Sequence, residues 1–341
     1  MTGAEREPAD LEAPGGDAPG GDDVARRPPE RRPAVARLIA AARVLVVVLV
    51  VAVVAGVVYR DWTAVSATLG QLSLGTLVLA LVLAQVGLGA TVMTWRHLLA
   101  ALGSPLRLPH ASQVFLTGQL ARYLPGSVWA FLLQAQLAQR YDVPRVRSLL
   151  AVLLAVGVTT VTGLTIAVVA VPALAAEWGP ATRLLLAGPL TLVFLVPRLL
   201  TLVSNAALRV LRRPRLTDPI PGRPVALAAG WAVLSWLCLG AHLWVLAASA
   251  GVGPAELPLV TATFALAVCA GFLAFVLPSG VGVREAVVVA GLSTVMPAGA
   301  ALALALVSRL MCTTADVLGA AGATVAAKLA DRGQGGAVDN R

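Results

Sequence analysis

Long apolar runs alternate with short polar connections along most of the chain. Runs of spanning length fall at about residues 41–59, 74–94, 148–171, 183–203, 225–250 and 300–327, each flanked by charge, proline or glycine. A hydrocarbon core of about 30 Å takes roughly 20 helical residues. The pattern therefore predicts six full transmembrane helices. Two further segments, 111–139 and 262–295, have another shape: helix-like apolar pieces, about a dozen residues each in the first segment, interrupted at Pro125-Gly126 and at Pro278-Ser279-Gly280. Pieces this short do not each cross the core, whereas two joined by a break can enter and leave from one side. Both are predicted to be re-entrant helical hairpins.

The two hairpins align with each other. Gly118 to Val128 lies over Gly271 to Val281 with six identities in eleven positions, at an offset of 153 residues. The matched Gly and Pro carry most of the weight, because Leu, Ala and Val are abundant here. The order span, span, hairpin, span occurs twice, and three full spans precede the second copy, which therefore starts on the opposite side. The expected fold class is an all-α integral membrane protein with about six spans, two re-entrant hairpins and an inverted-topology repeat, an architecture used by many secondary transporters. A duplication relic without a transport role has the same pattern.

Composition agrees with this reading. Hydrophobic residues make up 58% of the 341 and charged residues 13%, about half the charge of a soluble domain. A soluble globule is excluded. Residues 1–37 hold eight acids in a Pro- and Gly-rich run, too polar to offset chain entropy by burial. They are expected to be a disordered cytoplasmic tail, followed by a transmembrane region at 38–329 and a short cytoplasmic tail at 330–341. The acidic tail is unlike the start of a secretory signal, so the first apolar run reads as a retained span.

The net charge of +9 comes from short arginine clusters beside apolar runs. That placement fits membrane orientation and not nucleic-acid binding. Clusters before the first span, after the second and between the fourth and fifth all fall on one side, which the positive-inside rule makes cytoplasmic. The expected location is the plasma membrane, multi-pass, with both termini cytoplasmic. Cys238, Cys269 and Cys312 have neither paired spacing nor a neighbouring His. They read as buried fillers, with no disulfide framework and no metal site.

Ionisable residues in apolar context are few: Arg122, Arg198, His242, Arg284, Glu285, Arg309 and Asp316. Each costs roughly 2.5–3.5 kcal/mol to insert unpaired, so each should face a cavity or a partner. Arg122 precedes Pro125 on the first hairpin, while Arg284 and Glu285 open the piece after the second break. A helix starting there points its free N–H groups into the bilayer interior, where with Arg284 it could receive an anionic group such as a lipid phosphate. Glu285 is equally what helix capping alone would place there. Arg309 and Asp316 are seven apart, on one helical face. They are expected either to form an internal ion-pair network with Glu285 and Arg122 or to act as a gate that rearranges it. His242 reads as a packing histidine more readily than as a proton relay. Trp62, Trp95, Trp129 and Trp178 read as interface anchors. No paired carboxylates, Ser/His/Asp set, P-loop or Cys/His cluster occurs. The expectation is a non-enzyme without cofactor.

The motifs Gly118 to Trp129 and Leu277 to Glu285 resemble the transmembrane, flippase-like region of lysylphosphatidylglycerol synthases. The resemblance covers about residues 38–329, and the chain resembles a stand-alone member without the synthase domain. It implies translocation of a phospholipid or polyprenyl-linked lipid between leaflets. By residue it implies substrate contacts at Arg122, Tyr123, Pro125, Gly126, Ser127, Pro278, Gly280, Gly282, Arg284 and Glu285, with Arg309 in the late span beside Asp316. Family members often carry Glu-Arg and Asp early in the span after the first hairpin, where this chain has only apolar residues and glycine from Ala151 to Val158. From another class comes a second expectation: a non-transporting membrane partner that positions an enzyme of lipid modification or cell-wall glycan synthesis. An intramembrane transferase is a third.

Overall fold

The computed structural model describes residues 56, 59–60, 62–123, 128–210, 212–216, 218–273 and 280–338. Every element among them is helical. The expected tail 1–37, nearly all of the run 41–59, and Pro125, Gly126, Ser127 and Pro278 lie outside the described residues.

In chain order the helices are α1 (Trp62–Gln71), α2 (Leu74–Ala101), α3 (Leu108–Leu120), α4 (Val128–Gln139), α5 (Arg145–Ala167), α6 (Val171–Trp178), α7 (Pro197–Val210), α8 (Gly222–Ser249), α9 (Leu257–Leu273), α10 (Val283–Leu292) and α11 (Ala298–Val338). Ser73 starts α2 by accepting the Thr76 N–H at 3.0 Å, the usual way a hydroxyl satisfies an orphan donor. A 3-10 turn at Val168–Ala170 joins α5 to α6. Among the described residues, five helices are long and apolar enough to cross a membrane: Leu74–Ala101, Arg145–Ala175, Gly222–Ser249, Pro254–Phe272 and Ala298–Arg332.

The structure departs from the sequence expectation in four places. The run 183–203 is not one straight span: a 3-10 helix at Pro180–Leu195 meets α7 at a bend of 83°. Pro189 lies inside the 3-10 helix, and Val196, held extended before Pro197, ends it as a residue before proline tends to do. With a 3-10 rise of about 2.0 Å per residue, the 16 residues reach about 32 Å, so this piece alone matches the bilayer core. Second, the first arm of the second hairpin is 19 residues long, counted as Pro254–Phe272, and is therefore of spanning length by itself. Pro254 and Pro258 fall in its first turn, where proline is tolerated. Third, α11 continues to Val338, through the segment read as a tail. Fourth, Trp95 is fully buried against Phe115, ring centroids 5.7 Å apart, and is a core residue instead of an interface anchor. Trp62 and Trp129 are exposed.

Helices in lipid gain little from hydrophobic burial against one another and associate by close packing of small residues and by hydrogen bonds. The α2–α8 contact, the most extensive in the molecule, is of this kind. Ala80, Ala84 and Ala90 on α2 and Ala228 and Ala232 on α8 are buried small residues, and Thr94 Oγ1 donates to the Ala228 carbonyl at 3.3 Å. Ser235 Oγ bonds the Gly87 carbonyl at 2.8 Å and the Thr91 hydroxyl at 2.9 Å.

The packing pairs occur in matched sets. Exchange α2 with α8, α3 with α9, α4 with α10 and α5 with α11, and the pairs map onto one another: α3–α11 onto α9–α5, α3–α4 onto α9–α10, α4–α5 onto α10–α11, α5–α8 onto α11–α2. The glycine shared by the two hairpins lies at a close approach of the arms in each. A Cβ on Gly118 would lie 2.7 Å from Gln134 Cβ on the facing arm, and Gly271 faces Gly280. In the first hairpin the tight position is Gly118, whereas in the second it is Gly280, where a Cβ would lie 2.7 Å from Gly271 Cα, and a Cβ on Gly271 itself would make only ordinary contact.

Candidate functional site

The charged residues of the spans meet on one face of α11. Ser308, Arg309, Cys312, Thr313 and Asp316 follow a three- and four-residue spacing, which stacks them on one side of a helix. α11 packs against both α3 and α10, and so it delivers this stripe to both hairpins.

On the first hairpin a 3-10 turn at Ala121–Tyr123 follows α3. Arg122 Nη2 forms an ion pair with Asp316 Oδ2, and the Tyr123 hydroxyl donates to the same oxygen. Asp316 is buried, so its charge is met by a guanidinium and a phenol as a buried carboxylate requires. On the second hairpin, Glu285 Oε2 accepts the Gly282 N–H at 2.7 Å at the start of α10, while Oε1 lies 3.6 Å from Arg309 Nε. Glu285 is thus both helix cap and ion-pair partner. The expected internal network is present as two separate pairs, Arg122–Asp316 and Arg309–Glu285.

Arg284 differs from the other two arginines. Among the described residues no carboxylate pairs with it. Its Nη2 lies 3.5 Å from Cys312 Sγ, and its guanidinium sits 4.8 Å from the centre of the Phe264 ring. Cys312 is 3.8 Å from His242 Nε2. His242 is fully buried; Nδ1–H donates to the Leu239 carbonyl, and Nε2 accepts from the Ser308 hydroxyl at 2.9 Å. A carbonyl only accepts, which fixes this tautomer and makes His242 a satisfied packing residue.

Two adjoining cavities open onto this cluster. The first is lined by Ser235, Trp236, Cys312 and Asp316 together with apolar residues such as Leu88, Leu239 and Phe264. The second is walled largely by apolar side chains, including Phe115, Phe131, Val152 and Val156. Thr91, Gln119, Arg122, Thr159, Phe272 and Arg284 line both. Arg122 Nε is buried with no hydrogen-bond partner among the described residues, and an unmade bond of this kind costs about 1–3 kcal/mol or more for a charged group. Three arginines face two carboxylates here, which leaves one net positive charge. Largely apolar cavities with two guanidinium groups on their shared wall suit an anionic amphiphile.

The structure brings Arg122, Tyr123, Gly280, Gly282, Arg284, Glu285, Arg309 and Asp316 together around α11. Of these, Arg122, Gly280, Arg284 and Asp316 line the cavities, whereas Glu285 and Arg309 pair with each other. The sequence reading missed Thr91, Thr159, Phe264 and Phe272. No short-range signal marks a phenylalanine or threonine as cavity-lining. Cys312, read as a filler, was accessible from its spacing, since it sits between Arg309 and Asp316 on the same helical face.

The family model described as the lysylphosphatidylglycerol synthase TM region matches residues 40–318. No curated protein matches the chain.

Proposed function

The chain belongs to the lysylphosphatidylglycerol synthase TM region family, a membrane domain of lipid-related proteins, and from that premise we propose that it translocates a phospholipid or polyprenyl-linked lipid between leaflets without making or breaking a bond in it. The observation that carries the reading is the pair of adjoining, largely apolar cavities with Arg122 and Arg284 on the wall of both. The lipid phosphate docks on Arg284, which has no carboxylate partner among the described residues, and takes the Nε of Arg122, which has no hydrogen-bond partner among them either. A guanidinium offers a planar set of donors matched to phosphate oxygens. The acyl or prenyl chain follows the apolar cavity.

Translocation then proceeds by rocking of two repeats about the bound headgroup. The matched packing sets support the repeat. The α3 and α4 arms on either side of residues 124–127 act as a re-entrant hairpin, α9 and α10 as a span followed by a short returning arm, and the Arg122–Asp316 and Arg309–Glu285 pairs as the contacts remade between outward- and inward-facing states. The arginine-rich connections support a plasma-membrane orientation with both termini cytoplasmic.

The test is dithionite quenching of headgroup-labelled phosphatidylglycerol in proteoliposomes. Exchange well above that of protein-free vesicles is expected. Exchange at the protein-free rate, together with co-purification of a lipid- or glycan-synthesis enzyme, would make the chain a positioning partner instead. Product formation by the purified chain alone would make it a transferase.

A further inference from the structure

The bend at Val196–Pro197 turns α7 by 83° from the preceding helix, so α7 does not prolong that span through the core. Its residues sort into three sectors. Leu200, Ser204 and Leu208, four apart, are buried against the protein. At 100° per residue the opposite side carries Leu202, Ala206, Val210 and Val203 in a strip, all exposed, Leu202 at 66% and Val210 at 83%. Arg198 and Arg209 lie together along one edge of that strip, and both are exposed. An apolar strip edged by arginine on a helix lying across a span is the pattern of an interfacial helix, whose apolar face enters the acyl boundary while its cations stay among headgroups.

The segment after α7 adds to that edge. It folds back onto the helix through three backbone donors: Arg213 N–H to the Leu208 carbonyl at 2.9 Å, Leu216 N–H to Asn205 Oδ1 at 2.9 Å and Ile220 N–H to Thr201 Oγ1 at 3.0 Å. Ile220 is buried in the same apolar core as Leu200 and Leu208. Arg212, Arg213 and Arg215, all exposed, are held by this fold beside Arg209. From Arg198 to Arg223 there are six exposed arginines and one acid, Asp218. No carboxylate pairs with any of them among the described residues.

We propose that α7 and the 212–216 segment form a docking surface for anionic phospholipid headgroups, with Leu202, Val203 and Val210 seated in the acyl boundary. Charge complementarity selects this occupant: basic residues beside a membrane each contribute about 1 kcal/mol of attraction to an anionic surface. The proposal is independent of the cavity and of what passes through it.

The test uses the full chain reconstituted in vesicles of equal phosphatidylglycerol and phosphatidylcholine. A fluorophore at Val210→Cys or Leu202→Cys, with Cys238, Cys269 and Cys312 replaced by Ser, is expected to be quenched by lipids brominated on the acyl chain and not by aqueous iodide. In parallel, the ratio of phosphatidylglycerol to phosphatidylcholine retained by the purified chain is measured by lipid mass spectrometry. Replacement of Arg209, Arg212, Arg213 and Arg215 by Gln is expected to lower the ratio at least tenfold, and replacement of the same four by Lys to preserve it, which separates lost charge from lost fold. Quenching by iodide alone would overturn the proposal, as would an unchanged ratio in the Gln variant. A ratio lost equally in the Lys variant would overturn it too, because the effect would then not be one of charge. An acidic protein partner, if one occupies the surface, would appear as co-purification abolished in the Gln variant with the lipid ratio unmoved.

Discussion

Asp316 shows what a single buried carboxylate does in this molecule. It sits 3% exposed on α11 and holds both Arg122 and Tyr123. Removing one member of a buried pair leaves the other uncompensated, at a cost of about 3–5 kcal/mol. Asp316→Asn is therefore expected to destabilise the protein by roughly that amount in a detergent unfolding titration. The double variant Arg122→Gln/Asp316→Asn should lose less than the sum of the two single variants, since the stranded charge is then absent. Equal additive losses would mean that the pair is not coupled. The pairing was legible because Arg309 and Asp316 share a helical face and charge in an apolar run needs a partner. The lack of a carboxylate at Arg284 was not legible: which basic residue stays unpaired depends on contacts between segments far apart in sequence. Trp95 carries the same lesson. A tryptophan beside Arg96 and His97 reads as an interface anchor, yet the Phe115 ring from the neighbouring helix encloses it. Trp95→Ala is expected to cost about 3–5 kcal/mol, measured in the same titration.

At the level of elements, the spans were read from length and hydropathy alone, because an apolar run of 20 residues has few alternatives to a helix in lipid. The run 183–203 misled for the same reason. It is apolar enough to span, but Pro189 and Pro197 divide it, and hydropathy averages over such divisions. α9 begins at Leu257, five residues before the start expected at 262, and Pro258 is accommodated in its first turn, where proline is tolerated.

The close approach of hairpin arms gives a test at this scale. Gly280 has φ of +65°, and a Cβ there would lie 2.7 Å from Gly271 Cα. Gly280→Ala is expected to cost about 1–3 kcal/mol through overpacking, with a further penalty for the left-handed backbone. Gly157→Ala on α5, where a Cβ meets nothing within 4 Å, is the matched control and should be neutral or slightly stabilising. Equal behaviour of the two variants in thermal unfolding would refute the close-packed hairpin.

For the molecule as a whole, the expected repeat rests on a motif pair at an offset of 153 residues, and the packing pairs of eight helices map onto one another under the same exchange. The cavities were not legible, because their walls come from five or more separate helices whose apolar residues look alike in sequence. Functionally the central claim is that both arginines on the shared wall receive the lipid phosphate. The most direct measurement is leaflet exchange of phosphatidylglycerol by the Arg122→Gln/Arg284→Gln variant, reconstituted at the same density as the unaltered protein and verified as folded. Exchange at the protein-free rate is the expected result, with partial recovery in Arg122→Gln/Arg284→Lys, where one cation returns without the guanidinium fork. Exchange as fast as that of the unaltered protein would contradict the account.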